Sequence, residues 1–184
     1  MMRILKSYMA LGVLILTLMT ANIALAENKA VSIAVVDVDR ILSDSDAGKS
    51  MQSQLKTRRE AFQKEFSARE DNLMNAQKVL LDQKETLTVE EFSKKREDFE
   101  TQLLETRSLF QKRRNSLDKG LSSALAELRK NIIQVAAEVA NENEFQIVLT
   151  RDSVVIVEKE IDITEVVLDR LNDKVSNIPL NMGE

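Results

Sequence analysis

The sequence predicts an α+β chain that is predominantly α. A small β head carries a long antiparallel coiled-coil hairpin, inserted after the first strand, and a C-terminal helix. Three observations support this. Of 184 residues 30% are charged and 4% aromatic, and between Gly48 and the only proline, Pro179, the sole breaker is Gly120. Apolar residues recur at heptad spacing through two long stretches of that interval. Runs of β-branched residues lie before and after those stretches and do not interrupt them.

The chain opens with Arg3 and Lys6, an uncharged apolar run from Met9 to Met19, and the small residues Ala24-Leu25-Ala26. That order is the charged, apolar and cleavage-site pattern of a bacterial secretory signal, so residues 1–26 read as a signal peptide cut before Glu27. An uncleaved anchor is the alternative, since Tyr8 to Ala26 carries no charge, although Thr17, Thr20 and Asn22 weaken its second half. Without cysteine there is nothing to acylate, and the export signal places the mature chain outside the cytoplasm, a location that the absence of cysteine fits without establishing it.

The first structural element is Val31 to Val38, a β-branched apolar run of strand length. A polar turn, Ser43 to Asp46, leads into a helix from about Lys49. Its apolar positions are Met51, Leu55, Phe62, Phe66, Leu73, Ala76 and Leu80. A turn falls at Thr86-Leu87-Thr88, where Thr88 and Glu91 make a capping box. The second helix runs to about Asn143, with a seam that includes Phe92, Phe99, Leu103, Phe110, Leu117 and Leu121.

In an antiparallel pair with one tip, facing residues have numbers that add to a constant. Leu80 with Phe92, Leu73 with Phe99, Phe62 with Phe110, Leu55 with Leu117 and Met51 with Leu121 all share the midpoint 86, where the capping box independently puts the turn. The arm from 49 to 84 is then about 54 Å long at 1.5 Å per residue. Its seam is one stripe wide, so most of it is solvated and it bends easily.

Past Asn143 the period changes. Phe145 to Thr150 and Val154 to Glu158 read as strands joined by Arg151-Asp152-Ser153. Asp162 caps a last helix, Ile163 to Lys174, with Ile163, Val166, Val167, Leu168 and Leu171 on its apolar side. Ser176 to Glu184 is short, polar and broken by Pro179, a frayed tail. The parts are therefore a head of residues 27–48 and 126–175, an arm of 49–125 and a tail of 176–184. Three short strands leave two edges open, so copies of the chain should associate. The alternating residues Ile33, Val35, Ile147, Leu149, Val155 and Val157 are the candidates for that contact.

Charge is uneven. Residues 49–125 hold 16 basic and 13 acidic residues, whereas the remainder of the mature chain is strongly acidic. Basic clusters on the arm are Arg58-Arg59, Lys94-Lys95-Arg96 and Lys112-Arg113-Arg114. Each reads first as a solvated coiled-coil face and second as a surface for anionic partners or lipid headgroups. Nucleic acid is excluded by export, net acidity and scarce aromatics.

No catalytic, cofactor or metal site is assigned. The absence of His and Cys removes imidazole bases, thiolate nucleophiles and thiolate metal sites. Asp37 and Asp39 share a face at the end of the first strand, and Asp44 and Asp46 follow, but a calcium loop starting at Asp44 would have Gly48 fifth and Leu55 twelfth. A strand end leading into a helix cap accounts for these aspartates more simply. The arm phenylalanines read as seam packing, except Phe66, whose mirror position is Thr106 and which is left less covered.

Two segments, IAVVDVDRILSDSDAGKSMQSQL (33–55) and ANENEFQIVLTRDSVVIVEKEIDITEVVLDRLN (140–172), resemble the Skp/OmpH family of periplasmic chaperones. The element order between them is also similar over nearly all of the mature chain. The resemblance implies a homotrimer in which strands from three copies form a shared β body and three helical arms enclose a cavity. That cavity would hold unfolded outer-membrane proteins without ATP. Phe66, Lys94, Lys95, Arg96, Lys112, Arg113 and Arg114 are then the candidate client contacts, with anionic lipid or lipopolysaccharide as a further partner. The sequence departs from the family in being acidic overall, in having Asn143-Glu144 where a Gly is common, and in lacking an aromatic in the strand before the last helix. A holdase is the leading expectation, and a structural adaptor binding one folded partner is the alternative.

Overall fold

The computed structural model describes residues 31–182, so the leader and its cleavage site lie outside the described residues. Two strands, β1 (Ile33–Val36) and β2 (Ile147–Thr150), pair in parallel with Ile33 opposite Ile147 and Val36 opposite Thr150. A parallel pair requires a crossover, and here everything from 37 to 146 serves as one. Ala34 and Val36 point into the core with Val148 packed beside them. On the opposite face Ile33 and Leu149 are each 36% exposed and Ile147 43%. Val35, on that same face, is buried within the chain itself. Its carbonyl accepts a hydrogen bond from Ile163 N at 2.9 Å, and it bridges to Asp162, so the C-terminal segment lies along the far side of β1.

β1 is shorter than the run 31–38 suggests because Asp37 ends it. The Asp37 carboxylate accepts from Arg40 N at 2.8 Å and caps helix α1 (Val38–Asp44). Aspartate is a poor strand residue and a strong cap, so Asp37 and Asp39 do not form a paired face at a strand end. The expected polar turn at 43–46 is likewise the end of α1 and the start of α2 (Asp46–Asp82). A single extended residue, buried Ser45, separates the two helices, and its hydroxyl accepts from Gly48 N at 3.1 Å. Gly48 is required by contact: a Cβ there would lie 2.0 Å from the Leu42 carbonyl oxygen.

The turn at the far end of α2 falls where the capping box placed it. The Thr88 hydroxyl accepts from Glu91 N, the Glu91 carboxylate accepts from Thr88 N at 3.0 Å, and α3 (Val89–Glu142) begins. The Thr88 hydroxyl, followed by its backbone N–H, holds the Glu91 carboxyl below the usual carboxylate range. α3 ends with Phe145 N bonded to the Ala140 carbonyl and Glu144 N to that of Asn141, a Schellman closure with Glu144 at φ 57°.

The expected strand at 154–158 does not form. Short 3₁₀ turns, Arg151–Ser153 and Lys159–Ile161, bracket it, and Val155 and Ile156 are 94% and 85% exposed. β-branched composition supplies propensity, but a strand also needs a neighbour. In the single chain this segment pairs with neither β1 nor β2.

The last helix, α4 (Thr164–Lys174), starts one residue later than expected, with Asp162 Oδ1 accepting from Thr164 N at 2.9 Å. Ile163, Val167 and Leu171 are buried against the second half of α3, where Leu128, Ile132, Val135 and Val139 form most of the core. Val166, assigned to the apolar side, faces outward instead. Two ion pairs close the same contact, Arg170 bidentate to Glu142 at 2.6 and 2.8 Å, and Lys174 with Glu138. Each cation holds its carboxylate partner below the ordinary range.

The tail is not frayed. Ile178 and Leu180 are buried at 1% and 3% exposure where the two long helices leave the head. Apolar side chains placed two apart around Pro179 let a short extended segment fill a groove that a polar average conceals.

Candidate functional site

The arm has almost no interior. From Gln52 to Lys119, Phe110 alone is buried, and the remaining seam residues are half-exposed. Two helices that touch along a single stripe cannot shield both sides of that stripe. What holds the stripe is aromatic. Phe62 meets Phe110 edge-on with ring centres 5.3 Å apart, the pairing that the common midpoint predicts. Phe66 meets the same ring at 4.4 Å and 79°, a favourable edge-to-face arrangement.

Beside this trio a cleft of about 850 Å³ opens between the helices. Its apolar wall is Phe62, Phe66, Leu73, Phe99, Leu103 and Phe110, and Arg107 and Arg114 stand on its rim with Gln63, Gln77 and Gln111. Thr106, the mirror of Phe66, lines it too. A small β-branched residue opposite a phenylalanine fills less of the space between the helices than a leucine or a second ring would. Phe99, Leu103 and Arg107 join Phe66 here without having been singled out from sequence. The heptad list holds the first two, but spacing does not tell a sealed seam position from an open one.

The basic candidates are dispersed. Arg113 crosses the hairpin to Glu65 at 2.8 Å and is a strut between helices. Arg96 pairs with Glu100 one turn along at 3.3 Å, and Lys95 donates to Gln83 Oε1 at 2.6 Å near the tip. Lys94, Lys112 and Arg114 are exposed and make no ion pair among the described residues. Of the seven, only Phe66 and Arg114 share the cleft.

The aspartates near β1 have local work. Asp37 caps α1, Asp44 pairs with Arg40 at 3.4 Å, and Asp46 N donates to Asn172 Oδ1. Among the described residues no group of three or more His, Cys, Asp or Glu converges as a metal site would require. No described helix is long and apolar enough to cross a membrane.

Comparison with known proteins agrees with this geometry. The family model described as outer membrane protein (OmpH-like) matches residues 32–171. A crystal structure of a proposed OmpH-like outer membrane chaperone from Caulobacter crescentus CB15 superposes with a TM-score of 0.78. It covers 84% of this chain and 92% of that one at 17% identity, a likeness of fold. No curated protein matches significantly.

Proposed function

Since the chain belongs to the family of OmpH-like outer membrane proteins, we propose that it is an ATP-independent periplasmic holdase, keeping unfolded outer-membrane proteins soluble between its helical arms. The observation that carries this reading is the unsealed seam. Some fifty ångströms of helical arm have one buried residue and a half-exposed aromatic cleft. An enzyme needs a rigid site on a packed scaffold; a surface for many weak contacts with unfolded chains does not. Weak contacts repeated along several arms add up to retention without making any one hard to break.

Three copies are part of the proposal. The face bearing Ile33, Ile147 and Leu149, the unpaired segment around Val155 and Ile156, and a buried Arg151 Nη1 with no hydrogen-bond partner all lie at the sheet end. A neighbouring copy that supplied a strand edge and an acceptor would satisfy all three. Val35, already buried within its own chain, contributes indirectly by holding β1 in place.

The test is dilution of a urea-unfolded outer-membrane β-barrel protein into buffer containing the purified protein, followed by static light scattering. We expect suppressed aggregation and a defined complex with a mass of three copies plus client. Unchanged aggregation at a molar excess of trimer would overturn the holdase reading. A stable trimer that nevertheless bound one folded partner would point to the adaptor instead.

A further inference from the structure

We propose that residues 177–182 form a strap that clamps α2 and α3 together at the root of the arm and so sets the point from which the arm can bend. The strap is tied to α2 through Gln54, whose amide is fully used. Its Nε2 donates to Asn177 Oδ1 at 2.9 Å and to the Ile178 carbonyl at 3.1 Å, and its Oε1 accepts from Leu180 N at 3.1 Å. Ser50, one turn earlier, donates to Asn177 Oδ1 at 2.7 Å. Ile178 and Leu180 fill the space between the helices and are almost completely buried.

Across from Gln54 the strap rests on Gly120. A Cβ at that position would lie 2.8 Å from the Asn181 carbonyl oxygen, closer than real Cβ contacts come. A glycine deep inside a 54-residue helix weakens that helix relative to alanine. Its φ is not positive, so no turn or cap calls for it. Close approach of the strap's backbone does. On the tip side of the strap, burial falls away to Phe110 alone. The strap therefore marks the boundary between a clamped root and a compliant arm. A part for the strap in client capture rests on the holdase reading, but the clamp itself does not.

The chain has no cysteine, so paired spin labels can be introduced cleanly at Lys56 and Lys119 near the root and at Lys78 and Lys94 near the tip. Labelled chains are diluted with unlabelled ones so that distances report within one copy. Truncation after Ser176 should broaden the root distance distribution about two-fold, because the released helices sample local opening, while the intact protein keeps it narrow. An unchanged root distribution in the truncated chain overturns the proposal. Should truncation abolish the helical circular dichroism, Gly120→Ala decides alone. With the strap seated, the added methyl lowers the melting temperature and broadens the root pair; without it, alanine raises the melting temperature as in any helix interior. Capture of an unfolded barrel protein, measured on the same samples, tests the holdase reading separately.

Discussion

Glu144 holds a backbone conformation that suits glycine, φ 57°, at the closure of α3. A side chain there costs about 1–2 kcal/mol against the right-handed region. Glu144→Gly regains most of this and loses some to the freer unfolded chain. We expect a net stabilisation of about 0.5–1 kcal/mol in denaturant titration. Gly48 is the converse. Alanine there must displace the Leu42 carbonyl or unseat Ser45, and Gly48→Ala should cost about 1–3 kcal/mol. At this scale, residue type alone revealed the cap at Thr88, whereas the N-cap of the last helix is Ile163, with Asp162 one residue before it in an Asx turn to Thr164 N. Residue type did not reveal that Ser45 divides what reads as one turn and one helix. That division depends on a close contact between two backbones, which no periodicity records.

Among the elements, the arm is the clearest case of pattern becoming contact. Heptad positions with a shared midpoint put Phe62 opposite Phe110, and the rings meet there. Which seam positions stay open was hidden, because exposure depends on the width of the stripe and on the small partner Thr106. Phe110→Ala removes the shared ring of both aromatic pairs and should destabilise the arm by about 3 kcal/mol. Hydrogen exchange should quicken in 55–117, with the core amides of 128–139 unaffected. The seating of α4 on α3 has a different sensitivity. Glu138 and Glu142 have lowered pKa values in the folded chain through Lys174 and Arg170. Their contribution is thus complete above the ordinary carboxylate range and is lost as pH falls through the folded values. Melting temperature should decline on acidification below about pH 4.5, and Lys174→Met with Arg170→Met should flatten that decline. The segment 154–158 shows the limit of propensity: its composition is that of a strand, but pairing is a property of two segments, and one sequence displays only half of it.

For the whole molecule, charge is arranged against the average. The chain is acidic overall, with a formal charge of −4, but residues 49–125 carry a small positive excess. Lys112 and Arg114 lie on the same exposed stretch of α3 and make no ion pair among the described residues. Lys112→Glu with Arg114→Glu should reduce capture of an acidic unfolded barrel protein several-fold at low ionic strength, and high salt should narrow the difference from the unaltered protein, because screening removes the long-range part of the attraction. Equal capture by both proteins at low salt would assign retention to the aromatic cleft alone.

The parallel register of β1 and β2 also dictates an order of assembly. Ile33 cannot meet Ile147 until every residue between them has been made and brought back to the start, so the sheet closes only after both arm helices exist. Closing so long a loop from a random coil is slow. The hairpin removes that difficulty. Once the turn at 83–88 is set by its capping box, each successive pair of seam residues forms next to one already in place, down to the root. Zipping from the tip carries the two strands to each other as its final step. The arm is thus also the device that completes the head, and a lesion at the Thr88–Glu91 cap should delay the appearance of a folded sheet some fifty ångströms away.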